Sequence, residues 1–212
     1  MTSGEKTFWI AFVAIVVVAL GGFLAWRISH PVASSSNETI GALLSDQSTL
    51  PGLMTGNAPW ANNLDQLSAR MDAMKFPKLS MEGTVLHIHQ HLDIIIHGQP
   101  VTIPGGIGIS SFYSPIHVHD TTGIIHVESP VPAKFYLGQF FDVWGLRFNS
   151  TCIGGYCADA KDSLRVYVDG KLYQGDPRAI ELTKYEEIAI VYGTSTEMPK
   201  TIPTKFDFPA GY

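Results

Sequence analysis

Histidine occupies every second position through His87-Ile88-His89-Gln90-His91, Asp93 continues the row, and Ile94-Ile95-Ile96 leads into His97-Gly98. Side chains of a β-strand point to opposite faces in turn. His87, His89, His91, Asp93 and His97 therefore share one face, while Ile88, Leu92, Ile94 and Ile96 line the other and need a core to cover them. The pattern predicts a long strand over 84–96, turned at His97-Gly98 and returned through 101–103, with Pro104-Gly105-Gly106 ending the hairpin. A short apolar segment follows at 107–109. Strands at 116–119 and 124–128 flank Asp120-Thr121-Thr122-Gly123, a strong turn signal, and Ser129-Pro130-Val131-Pro132 stops the second of them. Further strands are expected at 134–137, at 164–168 and 171–173 around the tight turn Asp169-Gly170, and at 187–192.

Helical spacing is rarer. Trp60, Leu64, Leu67, Met71 and Met74 recur three and four residues apart before Pro77, which predicts an amphipathic helix over 59–76 packed across the β-domain. Gly138–Gly145 reads as a short helix closed by its last glycine, its aromatic residues serving the core. The whole is a mainly β, α+β domain over 77–212: an antiparallel sheet with short helices and an extended tail through Pro199, Pro203 and Pro209. A faint internal echo relates Leu92–Gly98 to Leu164–Gly170 and Gly123–Val127 to Glu187–Val191, with histidines in the first copy only.

The N-terminal pattern is of another kind. Residues 8–26 are uncharged throughout, with Trp9 and Trp26 near the ends, Lys6 before and Arg27 after. At about 1.5 Å per residue such a helix nearly spans a hydrocarbon core of about 30 Å, and interfacial tryptophans suit its ends. Val32-Ala33-Ser34-Ser35 is a poor signal-cleavage site. The expectation is a retained single-pass membrane anchor at 8–26, with residues 1–7 cytoplasmic, a polar tether over 27–58, and the C-terminal domain extracytoplasmic.

Composition narrows the function. A formal charge of −5, with no basic run or aromatic-basic stripe, excludes a nucleic-acid binder. Cys152 and Cys157, separated by Ile-Gly-Gly-Tyr, are expected to form one short disulfide in an oxidising compartment rather than a dithiol metal site. No nucleophile elbow, phosphate loop or cysteine zinc knuckle is present.

Seven of the eight histidines, all but His30, lie between residues 87 and 126. Neutral imidazole ligates zinc and copper, and a His-x-His pair on a strand aims two nitrogens at one ion. The candidate ligands are His87, His89, His91, His117, His119, His126 and Glu128, with Asp93 and Asp120 placed to orient imidazoles through the second ring nitrogen. His97, in a turn, reads as a turn residue. Zn(II) and Cu(II) both suit nitrogen with an occasional carboxylate, and sequence does not choose between them. Hairpin register at 120–123 decides membership. A four-residue loop pairs His117 with His126; a bulged type I turn sets His126 opposite Val118, facing away. Asp-x-x-Gly favours the bulge, which expects a core of His89, His91, His117 and His119 between the two clusters.

The runs His-x-His-x-His-Leu-x-Ile from His87, His-x-His-Asp-x-x-Gly-Ile-Ile-His-Val-Glu-Ser-Pro from His117 and Leu-Gly-Gln-Phe-Phe-Asp-Val-Trp-Gly from Leu137 resemble a family of membrane-anchored, histidine-rich prokaryotic envelope proteins. The resemblance covers about residues 84–192 and implies one domain in a cell-envelope setting. It supplies no substrate.

These readings converge on a membrane-anchored extracytoplasmic protein that binds a transition metal. One rival is a metal-dependent enzyme, using zinc hydroxide for hydration or hydrolysis or copper for redox chemistry. Another is an envelope interaction module with pH-sensitive histidines, acting on an envelope protein partner or as a homo-oligomer. The anchor is directly testable: full-length protein should stay with the membrane after a carbonate or high-salt wash. Soluble protein lacking residues 1–33 would identify a cleaved signal instead.

Overall fold

The alternating segments assemble into one sheet in a computed structural model, which describes residues 44–212. The stretch 1–7 expected to be cytoplasmic, the expected membrane segment 8–26 and the expected tether up to residue 43 lie outside the described residues. No helix among the described residues is long and apolar enough to cross a membrane. In chain order the elements are α1 (Leu67–Met74), β1 (Leu86–Ile96), β2 (Gln99–Pro100), β3 (Ile116–His117), β4 (Ile124–Ser129), α2 (Leu137–Trp144), β5 (Cys152–Ile153), β6 (Tyr156–Cys157), β7 (Ser163–Val168), β8 (Lys171–Leu172) and β9 (Glu187–Gly193).

The main sheet runs β3-β4-β1-β9-β7-β8, with β2 added to β1. It is mixed rather than wholly antiparallel, because β1 and β9 pair in parallel along His91–Ile96 and Glu187–Tyr192. Period-two alternation cannot reveal strand direction. Every residue of β9 is buried, the pattern of an interior strand covered on both faces. The turns at both ends of the echo are alike. His97-Gly98 has φ of 49° and 72° and Asp169-Gly170 has 50° and 75°, the two successive positive values that a tight right-twisted hairpin requires. The return pairing falls on β2, just before the expected 101–103, where no strand forms, and 134–137 forms no strand either. There the chain makes single backbone hydrogen bonds instead, Leu137 N–H to the Ile180 carbonyl and Leu182 N–H to that of Phe135.

The apolar face of β1 supplies Leu92, Ile94 and Ile96 to a core that also holds Phe140, Phe141 and Trp144 of α2. Helix α2 is buried along its whole length and ends at Gly145, whose φ of 69° makes the left-handed cap. Phe141 stacks on Phe148 with ring centres 4.1 Å apart, and the Trp144 indole donates to the Ala61 carbonyl. These aromatics are core. Helix α1 is shorter than 59–76: the α-helical part spans Leu67–Met74, a single 3₁₀ turn at Leu64–Gln66 precedes it, and Lys75 in left-handed conformation closes it before Pro77. Cys152 and Cys157 are disulfide-bonded across the β5–β6 hairpin.

Half of the expected tether belongs to the domain. Gln47 donates to the Leu146 carbonyl and accepts from the Phe148 N–H, Met54 pairs with Leu146, and Leu50 is buried. Arg178 ties this segment down, donating to the Ser45 carbonyl while gripping Asp142 of α2 with two hydrogen bonds of 3.0 Å. Asp142 is fully buried, and burial pushes its carboxyl above the usual range despite the Arg178 hydrogen bonds that oppose it. Removing one partner strands a buried charge. Arg178→Met should therefore cost about 3–5 kcal/mol in chemical denaturation, and the Arg178→Met/Asp142→Leu pair should recover most of it. Equal losses in the single and double variants would contradict this account of the ion pair.

Candidate metal centre

Strand pairing decides which histidines meet. β4 lies between β1 and β3. Its register with β1 sets His89 opposite His126 and His87 opposite Glu128, and on its other edge β3 sets His117 opposite the same His126. Opposed residues of neighbouring strands project to one face with Cβ atoms about 4.5–5.5 Å apart. His89, His126 and His117 thus form a row across three strands, with His87 and Glu128 beside it. His119, just beyond β3, closes the group with its ring centre 4.4 Å from that of His126.

This register corrects the bulged hairpin expected from Asp-x-x-Gly, and His126 becomes a central member. Val118 does not continue the ladder with β4. Its N–H donates to the Ile107 carbonyl at 3.0 Å and its carbonyl accepts from the Gly106 N–H at 2.9 Å. The preceding loop, not the turn, fixes the register. Asp120 caps the turn, accepting from the Thr122 N–H at 2.8 Å, so its carboxylate serves the backbone rather than an imidazole. Gly123 has φ of +83°, and a Cβ there would fall 2.6 Å from the Leu92 carbonyl oxygen. Close approach to β1 demands the glycine.

Two ligand sets result. His87, His89, His126 and Glu128 offer atoms all within 4.8 Å of one another, and so do His117, His119, His126 and Glu128. In the first, His87 Nε2 lies 3.1 Å from His89 Nε2 and 3.2 Å from Glu128 Oε1. In the second, His117 Nε2 lies 3.2 Å from His119 Nε2 and 3.9 Å from Glu128 Oε1. The His126 Nδ1–Glu128 Oε1 contact is 3.0 Å. Nitrogens bound tetrahedrally at about 2.0–2.1 Å from an ion stand about 3.3 Å from each other, so both Nε2 pairs already have the spacing of a coordination edge. The sets are built alike. Each pairs a buried imidazole, His89 or His117, with an exposed one, His87 or His119.

Protonation favours ligation. A carbonyl can only accept, so the 2.8 Å contact to Ser114 fixes the proton of His117 on Nδ1 and leaves the Nε2 lone pair facing His119 and Glu128. Burial, with smaller contributions from neighbouring imidazoles, lowers the pKa of both His89 and His117 to about 4. Both are neutral at pH 7, as metal ligation requires. Burial works against the Glu128 carboxylate, but the His126 hydrogen bond and the surrounding imidazoles outweigh it and hold its pKa below the ordinary value. Glu128 Oε2 and His89 Nδ1 are buried with no hydrogen-bond partner among the described residues. Such groups cost about 1–3 kcal/mol each unless something binds them.

His91 is on the same face but engaged elsewhere. Its Nε2 donates to the Thr122 carbonyl at 2.9 Å and its Nδ1 meets Glu187 at 2.9 Å, so neither nitrogen is free. Burial works against its charge, yet the Glu187 carboxylate beside it keeps its pKa above the ordinary value. Asp93 adjoins this pair, and with His91 and Glu187 it makes a separate group whose ligand atoms also lie within 4.8 Å of one another. Glu187, and Glu82, which lies 3.4 Å from His119, were not legible as site residues because each is far along the chain from the histidine it meets; Ser114, close to His117 in sequence, was not because it acts through its backbone carbonyl. Neither was the cover over the imidazole face. Phe206 stacks on His91 with ring centres 3.8 Å apart, and the Tyr212 ring lies 4.8 Å from His89 and 5.6 Å from His126. The crowding of Phe206, Phe208 and Tyr212 into the tail was the available signal.

No family model, curated protein or solved structure matches the chain. The functional reading therefore rests on this geometry.

His97, at the far end of β1, makes a separate pair with Glu197 at 2.9 Å, with Asp162 at 3.9 Å. The Glu197 hydrogen bond raises the His97 pKa, and the same bond lowers that of Glu197 to about 2. The histidine's contribution to stability is complete below its unfolded value of about 6.5 and fades as pH rises through its higher folded value. That of Glu197 is complete above about 4.5 and fades as pH falls toward 2. The thermal midpoint of His97→Gln should fall furthest below that of the parent between about pH 4.5 and 6.5, and the gap should narrow on either side. A gap independent of pH would show that the pair does not act through charge.

Proposed function

We propose that this chain binds a divalent transition-metal ion, Zn(II) or Cu(II), on the imidazole face of β3, β4 and β1. The observation that carries the reading is the convergence of five imidazoles on a buried glutamate with one oxygen unpartnered. The donors are nitrogen with one carboxylate, a set that suits these two metals, and the two cysteines are tied up with each other. Residues 8–26 anchor the domain in a membrane, and the domain works on its outer, oxidising side. The uncharged run and the disulfide support that placement, because structural disulfides persist in oxidising compartments. A membrane location sets the domain among envelope proteins as partners.

The test is elemental analysis and metal titration of the untagged, detergent-solubilised full chain. The protein should carry Zn(II) or Cu(II), lose it to a strong chelator and take it up again. His89→Ala/His126→Ala should weaken uptake at least 100-fold, while His97→Gln should leave it unchanged. Failure of the parent protein to take up either metal would overturn the proposal and leave the pH-responsive module as the better reading.

A further inference from the structure

We propose that the centre holds two ions, one in each ligand set, with Glu128 bridging them. This rests on the metal-binding reading above and goes beyond it to nuclearity. Six side chains surround Glu128 and His126 or belong to that pair, yet they do not form one set of mutually close ligand atoms. They form two, each within 4.8 Å, which share only His126 and Glu128. Ligands of a single ion, held at about 2.0–2.1 Å, cannot stand more than about 4.2 Å apart even when diametrically opposed. The two His-x-His pairs are too widely spaced for one ion to gather both. Each pair, by contrast, already has the spacing that an ion of its own requires, with Nε2 atoms 3.1 Å apart in His87 and His89 and 3.2 Å apart in His117 and His119.

Strand order produces the duplication. β4 is central, one His-x-His pair flanks it on β1, and the other reaches it from β3. The residues on the middle strand serve both sides. The ring centre of His126 is 4.5 Å from that of His89 and 4.4 Å from that of His119, so it sits midway. Glu128 Oε1 faces His87, His126 and His117, while Oε2 is buried without a partner among the described residues. A carboxylate with one oxygen directed at the imidazoles and the other unsatisfied has the donor capacity of a bridge. Carboxylate-bridged pairs of ions commonly stand about 3.5–4 Å apart. Two divalent ions also require nearby negative charge, which Glu128 supplies between them and Glu82 supplies beside His119.

The experiment is native mass spectrometry of the detergent-solubilised full chain loaded with Zn(II), together with spin-quantified electron paramagnetic resonance of the Cu(II)-loaded form. Two Zn(II) per chain are expected, with a Cu(II) signal well below two spins per chain because ions at this separation couple. His87→Ala/His89→Ala and His117→Ala/His119→Ala should each retain one ion and give one full, uncoupled Cu(II) spin. A single ion in the parent chain, abolished by either double variant, would overturn the two-ion centre while leaving metal binding intact. No ion at all would overturn both. The stoichiometry of the parent chain decides between these outcomes even if one double variant does not fold.

Discussion

The centre depends on one constraint, the double register of β4. That strand pairs with β1 so that His126 faces His89, and with β3 so that His126 faces His117. A slip of one residue on either edge would send an entire row of side chains to the other face. On the β3 side the register is held by the exchange of hydrogen bonds between Val118 and the 106–107 loop. On the β1 side it is held by the long ladder from Leu86 to His91. The core secures both, since Ile125 and Val127 of β4 are buried on the face opposite His126 and Glu128.

Gathering imidazoles around a buried carboxylate has an energetic cost that the fold carries elsewhere. His89, His117 and Glu128 are almost wholly removed from water, and His89 Nδ1 and Glu128 Oε2 have no hydrogen-bond partner among the described residues. An apolar face covers the opposite side of the sheet, with α2 and its aromatics buried beneath. Phe206 and Tyr212 pack against part of the histidine face. His87 and His119 are exposed at the edge of this face.

Much of this was legible in the sequence, for identifiable reasons. Period two placed the histidines of β1 on one face, the Asp169-Gly170 and His97-Gly98 turns announced their hairpins, and the spacing of Cys152 and Cys157 announced their bond. What remained hidden depends on distant contacts. Asp120-x-x-Gly123 carries the signature of a bulged turn, and only the docking of Val118 on Ile107 overrides it. His91 has the same spacing as its neighbours, yet Glu187 engages it from a strand whose parallel pairing no local pattern reveals. The segment from Ser45 to Met54 has the composition of a tether, and its place in the domain follows from Arg178, Leu146 and Phe148.

The central claim is that histidine nitrogen from three adjacent strands binds metal. X-ray absorption spectroscopy at the metal edge of the Zn(II)- or Cu(II)-loaded full chain addresses it most directly. The account predicts a first shell of nitrogen and oxygen at about 2.0–2.1 Å, with the outer-shell scattering of at least two imidazoles per ion and no sulfur. A first shell of oxygen without imidazole scattering would place the metal elsewhere and contradict it.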